Sequence, residues 1–207
     1  MTEAGQRASG LAAARSAVGD DRLVVMPTDT TYGVGCDAFS VPAVDDQRRA
    51  RGSSRSAPPA VLVPHVRTLA GIAVVTHEVN ALAQAFWPGA LTLLCPSHAT
   101  LSWDLGDTGG TVAVRMPLHP VALELLDATG PMAVTGANRV GEPAAVTAYQ
   151  AQEQLGDAVD VYLDAGPCGT GVPSTVLDCT GDTPRVLREG GVTLAELREV
   201  VPEVAGA

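Results

Sequence analysis

A first group of reactive side chains lies between Met26 and Cys36, in the stretch MPTDTTYGVGC, which follows an apolar run. Its hydroxyls, its aspartate and its two glycines suit a small polar ligand at the carboxyl end of a strand, since glycine lets a ligand approach the backbone closely. An ordinary polar turn after a strand has the same residue types. The sequence therefore leaves two interpretations open, a ligand-binding turn and a plain turn.

Four arginines lie close together at the predicted end of a helix and in the loop that follows it, namely Arg48, Arg49, Arg51 and Arg55. Cations at a helix C-terminus interact favourably with the helix dipole, so a solvated helix end would explain this run. In a chain with a formal charge of −10, the same run is also the best candidate for a polyphosphate clamp. Each guanidinium can donate two parallel hydrogen bonds to phosphate oxygens.

Arg115 ends the segment TVAVR, whose alternation places Thr111, Ala113 and Arg115 on one face of a strand. A buried arginine is costly unless an anion accompanies it, so we expect either an anionic ligand or an internal carboxylate beside Arg115. Polar or cationic residues also mark the segments TGANRVG at 135–141, VPSTVLD at 172–178 and RVLREGG at 185–191. Together these strand ends predict one convergent pocket.

Several other chemistries are excluded or poorly supported. All 13 basic residues are arginine, which removes Schiff bases, pyridoxal phosphate enzymes and Walker-type phosphate loops, because each needs a lysine. The histidines lack metal-ligand spacing, no GxSxG elbow is present, and no cysteine lies beside a histidine. Zinc, serine-hydrolase and Cys-His sites are therefore not expected.

Composition predicts a reduced, cytoplasmic, globular protein. Hydrophobic residues make up 46% and charged residues 17% of the chain, which is typical of a folded domain. The four cysteines show no CxxC spacing, and no apolar segment is long enough for a signal peptide or a membrane span. The formal charge of −10 disfavours general attraction to nucleic acid.

Short apolar runs that alternate with helical patterns predict an α/β sheet domain. The predicted strands are 23–26, 60–64, 91–95, 111–115, 132–135, 159–163, 175–178 and 185–188. The predicted helices are 9–18, 43–51, 78–85, 120–128, 148–155 and 194–200. Further predictions are capping boxes at Thr147 with Gln150 and at Thr193 with Glu196, C-caps at Gly130 and Gly156, a loop over 166–173 and a frayed end over 203–207.

The chain resembles the YrdC-like family, the L-threonylcarbamoyladenylate synthases, in the ordered phrases PTDTTYGVG, FWPGALT, TVAVRMPLHP, TGANRVGEPA, GVPSTVLD and RVLREG. The resemblance covers residues 9–192 of a single domain over 1–207, which leaves a short helix and tail at 193–207. It implies an α/β fold with a twisted, mixed sheet and flanking helices around a large concave cavity. It also implies a nucleotidyltransferase that converts L-threonine, bicarbonate and ATP with Mg²⁺ into threonylcarbamoyl-AMP and pyrophosphate, for tRNA modification by a downstream transferase.

The resemblance further implies roles for individual residues. Thr30 and Arg115 would hold the amino acid, with the arginine on its carboxylate and Ser174 beside it. The implied nucleotide contacts are Arg51, Arg55, Thr111, Asn138 and Arg188. No side chain is implied as an acid, a base or a metal ligand.

The phosphate side departs from the family pattern. Arg51 and Ser53 stand where the family has lysine and arginine, and Gly136 replaces the serine of a serine-x-asparagine pattern. Loss of a phosphate-binding arginine removes a charge-assisted contact worth about 1.5–3 kcal/mol. Arg49, Arg55 or a two-residue shift that pairs Arg49 with Arg51 could compensate. Two alternatives therefore stand beside the family reaction. One is a diverged paralogue that acts on another carbamoyl- or acyl-adenylate, and the other is a non-catalytic nucleotide- or RNA-binding module.

Overall fold

Short runs rich in valine and leucine form the strands of one mixed sheet, and the helices cover both of its faces. The computed structural model describes residues 3–169 and 171–207. Over that part of the chain the strands are β1 (Val24–Met26), β2 (Gly33–Asp37), β3 (Ala60–Leu62), β4 (Leu91–Pro96), β5 (Thr111–Arg115), β6 (Met132–Gly136), β7 (Val161–Tyr162), β8 (Thr175–Asp178) and β9 (Arg185–Arg188). The α-helices are α1 (Glu3–Gly19), α2 (Val41–Arg51), α3 (Leu69–Ile72), α4 (His77–Phe86), α5 (Pro120–Thr129), α6 (Ala148–Leu155) and α7 (Leu194–Val200), with 3-10 turns at Val66–Thr68 and Gly156–Ala158.

The sheet has the strand order β7-β1-β2-β6-β3-β5-β4-β8-β9. Strands β4 and β5 are antiparallel, β4 and β8 are parallel, and β8 and β9 are antiparallel. The paired residues are Leu93 with Val114, Leu91 with Thr175, and Val176 with Arg188. This register brings the end of β5, the starts of β4 and β8 and the end of β9 side by side at one end of the sheet.

Two hydrophobic cores hold the sheet between the helices. Val24 and Met26 point into a core formed with α1 and α5, whereas Val25 belongs to the larger core on the opposite face. This division follows from strand alternation, which sends successive side chains to opposite faces. The predicted α/β class with a mixed sheet and flanking helices is confirmed.

The largest error of the sequence-based prediction concerns residues 33–37. Residues 33–36 were expected to belong to the turn, but together with Asp37 they form β2, which pairs with β1 and β6. A Cβ on Gly33 would lie 2.7 Å from Val134 Cγ1, and one on Gly35 would lie 3.0 Å from Met26 Cε. These glycines therefore let side chains of the neighbouring strands pack over β2, rather than a ligand.

The predicted caps at the helix ends were largely right, although α1 begins at Glu3 rather than at residue 9. Gly130 and Gly156 follow α5 and α6 with φ of 85° and 52°, and Thr193 forms the predicted capping box with Glu196. At α6, Thr147 Oγ1 accepts from the backbone of Gln150, but the Gln150 side chain accepts from Val146 N at 2.8 Å instead of returning to Thr147. That box is therefore only half formed.

The prediction of a frayed end over 203–207 was wrong. Val204 is 1% exposed, and Val186 N donates to Ala205 O at 3.0 Å, beside the first residue of β9. The segment packs because Val204 inserts into the larger core.

Among the helices of the described part of the chain, none combines the length and hydrophobicity that crossing a bilayer would require.

Candidate active site

Arg115 is the centre of the predicted amino-acid site. The residue ends β5 and is buried, and its guanidinium makes three hydrogen bonds. Nε donates to Gly89 O at 2.9 Å, Nη1 to Thr30 Oγ1 at 3.0 Å, and Nη2 to Asp29 Oδ1 at 2.7 Å. Asp29 is thus the internal carboxylate that the sequence left open as one of two partners. Arg115 and Thr30 come together as predicted.

The turn at 28–31 presents Asp29 and Thr30 to Arg115. Thr28 Oγ1 donates to Thr31 O at 2.6 Å and accepts from the backbone of Thr30 at 3.2 Å, which closes the turn locally. Asp29 Oδ1 also accepts from Leu118 N at 2.8 Å. One carboxylate oxygen therefore fixes both the arginine fork and the chain that follows β5.

A glycine-rich loop packs against the turn at 28–31. Gly169 has φ of +66°, and a Cβ there would lie 1.9 Å from Thr30 O, so a side chain would have no room. Gly171 N donates to Thr30 O at 3.3 Å, and the buried Tyr32 hydroxyl donates to Gly166 O at 2.6 Å. The loop predicted over 166–173 is confirmed apart from residue 170, which lies outside the described residues.

Ser174, immediately before β8, is the second polar centre. Arg188 Nη2 donates to Ser174 O at 2.9 Å and to Ser174 Oγ at 3.3 Å, while the buried Thr92 places its Oγ1 2.8 Å from the same Oγ. Arg188, predicted to contact nucleotide, lies beside Ser174 in this structure, and its contact with nucleotide stays a prediction. No role was predicted for Thr92 from the sequence, although it lies in the phrase FWPGALT, which carries part of the family resemblance.

Among the described residues, Asp29 is the carboxylate in hydrogen-bond contact with Arg115, and none is shown to pair with Arg188. Burial lowers the pKa of Arg115, Asp29 opposes this shift, and the charge of Arg188 lowers the pKa further. Burial also lowers the pKa of Arg188. Two guanidiniums and the Asp29 carboxylate sum to a charge of about +1, because arginine stays protonated at neutral pH. A ligand with one carboxylate would neutralise this excess.

Three of the four clustered arginines already have carboxylate partners. Arg48 pairs with Asp45 and Arg49 with Asp46, each one helical turn apart. Arg55 donates to Asp104 Oδ1 at 2.7 Å and lies 3.3 Å from Asp107 Oδ1. The carboxylates already neutralise part of the charge that Arg49 and Arg55 could offer to a phosphate.

Arg51 differs from its neighbours. Within the described ranges no carboxylate pairs with it; its Nε donates to Asn138 O at 2.8 Å, and its own carbonyl accepts from Val140 N at 2.9 Å. Burial lowers the pKa of Arg51. The sequence contained the signal, because the position three residues before Arg51 holds Arg48 rather than an acid. Arg51 is therefore the arginine of this cluster best placed to receive an anion.

The Asn138 side chain organises the loop after β6. Its Nδ2 donates to Arg139 O at 2.9 Å and to Glu142 O at 3.0 Å. A Cβ on Gly136 would lie 2.6 Å from Asn138 Oδ1, so the missing side chain at 136 makes room for this arrangement. Ser53 lies just beyond the end of α2, where its N–H donates to Arg48 O at 3.0 Å.

Thr111 is a predicted site residue that lies at the opposite end of its strand from Arg115. It begins β5, which Arg115 ends, so the two lie about 13 Å apart along the strand. Its hydroxyl donates to Thr108 O at 2.7 Å.

Nowhere in 3–169 or 171–207 do three or more His, Cys, Asp or Glu side chains form a cluster suited to a metal ion.

Two surface cavities lie away from these residues. One of about 910 Å³ is lined by α1 and residues 162–166, and another of about 510 Å³ is lined by residues that include Arg22, Arg49 and Arg139. Neither is lined by Arg115, Ser174 or Arg51. The hydrogen bonds and charges described above therefore favour a candidate site at the ends of β5 and β9 and the starts of β4 and β8.

The fold and the site together define an α/β protein with a candidate anion site, built around arginines, at one end of a mixed sheet. The chain belongs to the Sua5/YciO/YrdC family, whose model, described as "Telomere recombination", matches residues 16–190.

Several relatives show the same similarity over nearly the whole chain. A Mycobacterium tuberculosis protein is 50% identical over 197 residues, which are 95% of this chain and 91% of the relative. The threonylcarbamoyl-AMP synthase of Bacillus subtilis is 35% identical over 92% of this chain and 56% of its own length. The structure of Pyrococcus abyssi Sua5 complexed with L-threonine has a TM-score of 0.91 and 33% identity, over 95% of this chain and 58% of that one. The chain thus spans little more than half of these last two proteins.

Proposed function

We propose that this protein is a threonylcarbamoyl-AMP synthase, which makes threonylcarbamoyl-AMP and pyrophosphate from L-threonine, bicarbonate and ATP. The observation that carries the proposal is a pair of neighbouring polar centres, in which the buried Arg115 donates to Thr30 and the exposed Arg188 donates to the buried Ser174, close enough for its charge to act on Arg115. Its excess positive charge and its hydroxyls match the carboxylate of an amino acid. The family membership and the P. abyssi Sua5 structure with L-threonine support the same assignment.

The reaction has two bond-forming steps. The threonine amine attacks bicarbonate, which forms an N-carboxylate and releases water. An oxygen of that carboxylate then attacks the α-phosphorus of ATP, and the bond to the β-phosphate breaks so that pyrophosphate leaves. Neither step needs a covalent bond to the protein, because orientation and charge stabilisation can supply the rate enhancement.

The residues divide between the two substrates. Arg115 holds the threonine carboxylate through the N–H groups that Gly89, Thr30 and Asp29 leave free. Arg51, fixed to the loop that Asn138 organises, neutralises phosphate charge, and magnesium enters with ATP. Arg188 lies beside Ser174 and close enough to Arg115 to lower its pKa, so it can bind the N-carboxylate or the α-phosphate as the two approach.

Pyrophosphate release tests this proposal. We expect release only when L-threonine, bicarbonate and magnesium-ATP are all present, with a product of the mass of threonylcarbamoyl-AMP. An Arg115→Ala variant supplies the control for release at the assigned site. A lack of release under all these conditions would refute the proposal, and a different acyl-adenylate formed from a mixture of amino acids would favour the paralogue hypothesis.

The altered phosphate side is the feature that motivated the paralogue hypothesis. The 50% identity with the M. tuberculosis relative spans nearly the entire chain, and the comparisons do not favour a separate activity. We further propose that the product passes to a cytoplasmic transferase that modifies tRNA. Direct RNA binding is not part of the proposal, because the formal charge of −10 opposes it.

A further inference from the structure

Thr92 is a buried hydroxyl that the reaction scheme above leaves without a role. It is 4% exposed and sits on β4, and its Oγ1 lies 2.8 Å from Ser174 Oγ, which is 7% exposed. We infer that Thr92 is a positioning residue of the amino-acid site, because it fixes the direction in which the Ser174 hydroxyl donates. This inference rests on the proposed function.

The hydrogen-bond partners determine which hydroxyl donates. Among the described residues, Ser174 Oγ is the polar partner of Thr92 Oγ1, so the buried Thr92 O–H donates to it. Ser174 Oγ also accepts from Arg188 Nη2 at 3.3 Å. A hydroxyl oxygen has two lone pairs and one proton. With both lone pairs engaged, the Ser174 proton remains free for an anionic ligand.

If Ser174 donated to Thr92 instead, the outcome would be different. The Ser174 oxygen would then have only a lone pair to offer, and a lone pair repels a carboxylate. Thr92 therefore decides whether Ser174 attracts or repels the ligand. It does so without contact with the ligand itself.

The segment 86–92 contacts both polar centres of the site, Arg115 and Ser174. Gly89 O accepts from Arg115 Nε at 2.9 Å, and Thr92 contacts Ser174. The buried Trp87 ring braces the segment, since its Nε1 donates to Leu91 O at 2.7 Å. A Cβ on Gly89 would lie 2.5 Å from Phe86 O, so this turn also requires a glycine. The phrase FWPGALT thus contacts Arg115 through its central Gly89 and Ser174 through its last residue, Thr92.

The test compares Thr92→Val, which removes the hydroxyl but keeps the shape, with Thr92→Ser, which keeps the hydroxyl and removes the methyl. Thr129→Val is the matched control, because Thr129 Oγ1 donates to Leu125 O at 3.0 Å within α5, away from the site. L-threonine and ATP are titrated separately by calorimetry, and KM for each substrate, kcat and the unfolding midpoint are measured.

We expect Thr92→Val to weaken L-threonine binding and to raise its KM by roughly 3- to 10-fold, the effect of one net hydrogen bond. ATP binding should stay unchanged, and Thr92→Ser should restore L-threonine binding. Wild-type affinity for L-threonine in Thr92→Val, or a fall in the unfolding midpoint with equal losses for both substrates, would overturn the inference alone. A wild-type protein that binds ATP but not L-threonine would overturn the proposed function and the inference together.

Discussion

Arg115 Nη2 donates to Asp29 Oδ1 over 2.7 Å, although the two residues lie 86 positions apart in the sequence. Their side chains are 8% and 13% exposed. Breaking a buried ion pair by neutralising one partner typically costs about 3–5 kcal/mol, because the other charge stays buried without compensation. The pair therefore couples the stability of the fold to the charge state of the proposed substrate site.

Replacement of Asp29 by asparagine should reveal this coupling. We expect Asp29→Asn to lower the free energy of unfolding by about 3 kcal/mol. L-threonine should then raise the unfolding midpoint more in the variant than in the wild type, because its carboxylate would replace the missing counter-charge. Thermal unfolding with and without L-threonine measures both effects. Asp46→Asn, at an exposed pair, is the control, and equal ligand-induced shifts in Asp29→Asn and wild type would contradict the explanation.

Arg115 itself should separate the two substrates. Arg115→Ala removes the donors to Gly89, Thr30 and Asp29, and we expect it to weaken L-threonine binding by at least 10-fold while ATP affinity changes little. Arg115→Lys should recover only part of this loss, since a single ammonium cannot reproduce the fork. Calorimetry with each substrate measures the affinities. Equal losses for threonine and ATP would disprove the assignment of Arg115 to the amino acid.

Arg51 should matter for ATP, whereas Arg49 should not. Arg51→Gln removes a partly buried cation that lacks an acidic partner within the described chain, and we expect ATP binding to weaken by about 10-fold or more. Arg49→Gln is the matched control from the same helix, because Arg49 is exposed and paired with Asp46. ATP titrations of both variants measure the two affinities for ATP. Similar affinities in the two variants would mean that Arg51 is not the phosphate contact.

Substitutions that restore the family residue at the two altered signature positions, Ser53 and Gly136, should have opposite effects on ATP binding. Ser53→Arg adds a cation beside the proposed phosphate site and should tighten ATP binding several-fold, whereas Ser54→Arg tests whether any added charge nearby suffices. Gly136→Ser should weaken ATP binding on its own. Its Cβ would displace the Asn138 side chain, whose two hydrogen bonds hold the loop that anchors Arg51. A gain in ATP affinity from Gly136→Ser alone would contradict this view of position 136.

Cys36 should contribute to the alkaline limit of stability. Burial raises the pKa of Cys36 to about 12 from its ordinary value of 9.0. Between these values the unfolded thiol loses its proton before the folded one does, so the free energy of unfolding falls as the pH rises from about 9 to about 12. Urea unfolding at several pH values should give a shallower fall for Cys36→Ala than for the wild type. If the free energy of unfolding fell equally with pH in the two proteins, Cys36 would not contribute to the alkaline loss of stability.

Part of the fold could be predicted because the local pattern was sufficient. The segment TVAVR alternates as an ordinary strand, and β5 has the predicted bounds. The glycines of β2 defeated the same approach, because Gly33 and Gly35 are explained by Val134 and Met26 on other strands. Packing against residues of other strands cannot be predicted from the sequence of the segment alone.

The candidate site shows the same division. Arg115 stood out because an arginine that ends an apolar strand needs an anion. Its partner Asp29 and the Thr92–Ser174 contact could not be predicted, since each joins segments more than eighty positions apart. The acids three residues before Arg48 and Arg49 are visible in the sequence and set Arg51 apart from them. The partners of Arg55, Asp104 and Asp107, lie 49 and 52 positions away and could not be predicted.

The position of Trp87 gives the protein an optical reporter of its own site. The sequence has two tryptophans, of which Trp87 is 6% exposed and lies two residues before Gly89, while Trp103 stacks on Phe39 with ring centroids 5.4 Å apart. A Trp103→Phe variant would leave Trp87 as the sole indole. Its emission would then report ligand-induced movement at the turn that holds Arg115, without a label attached to any residue of the site.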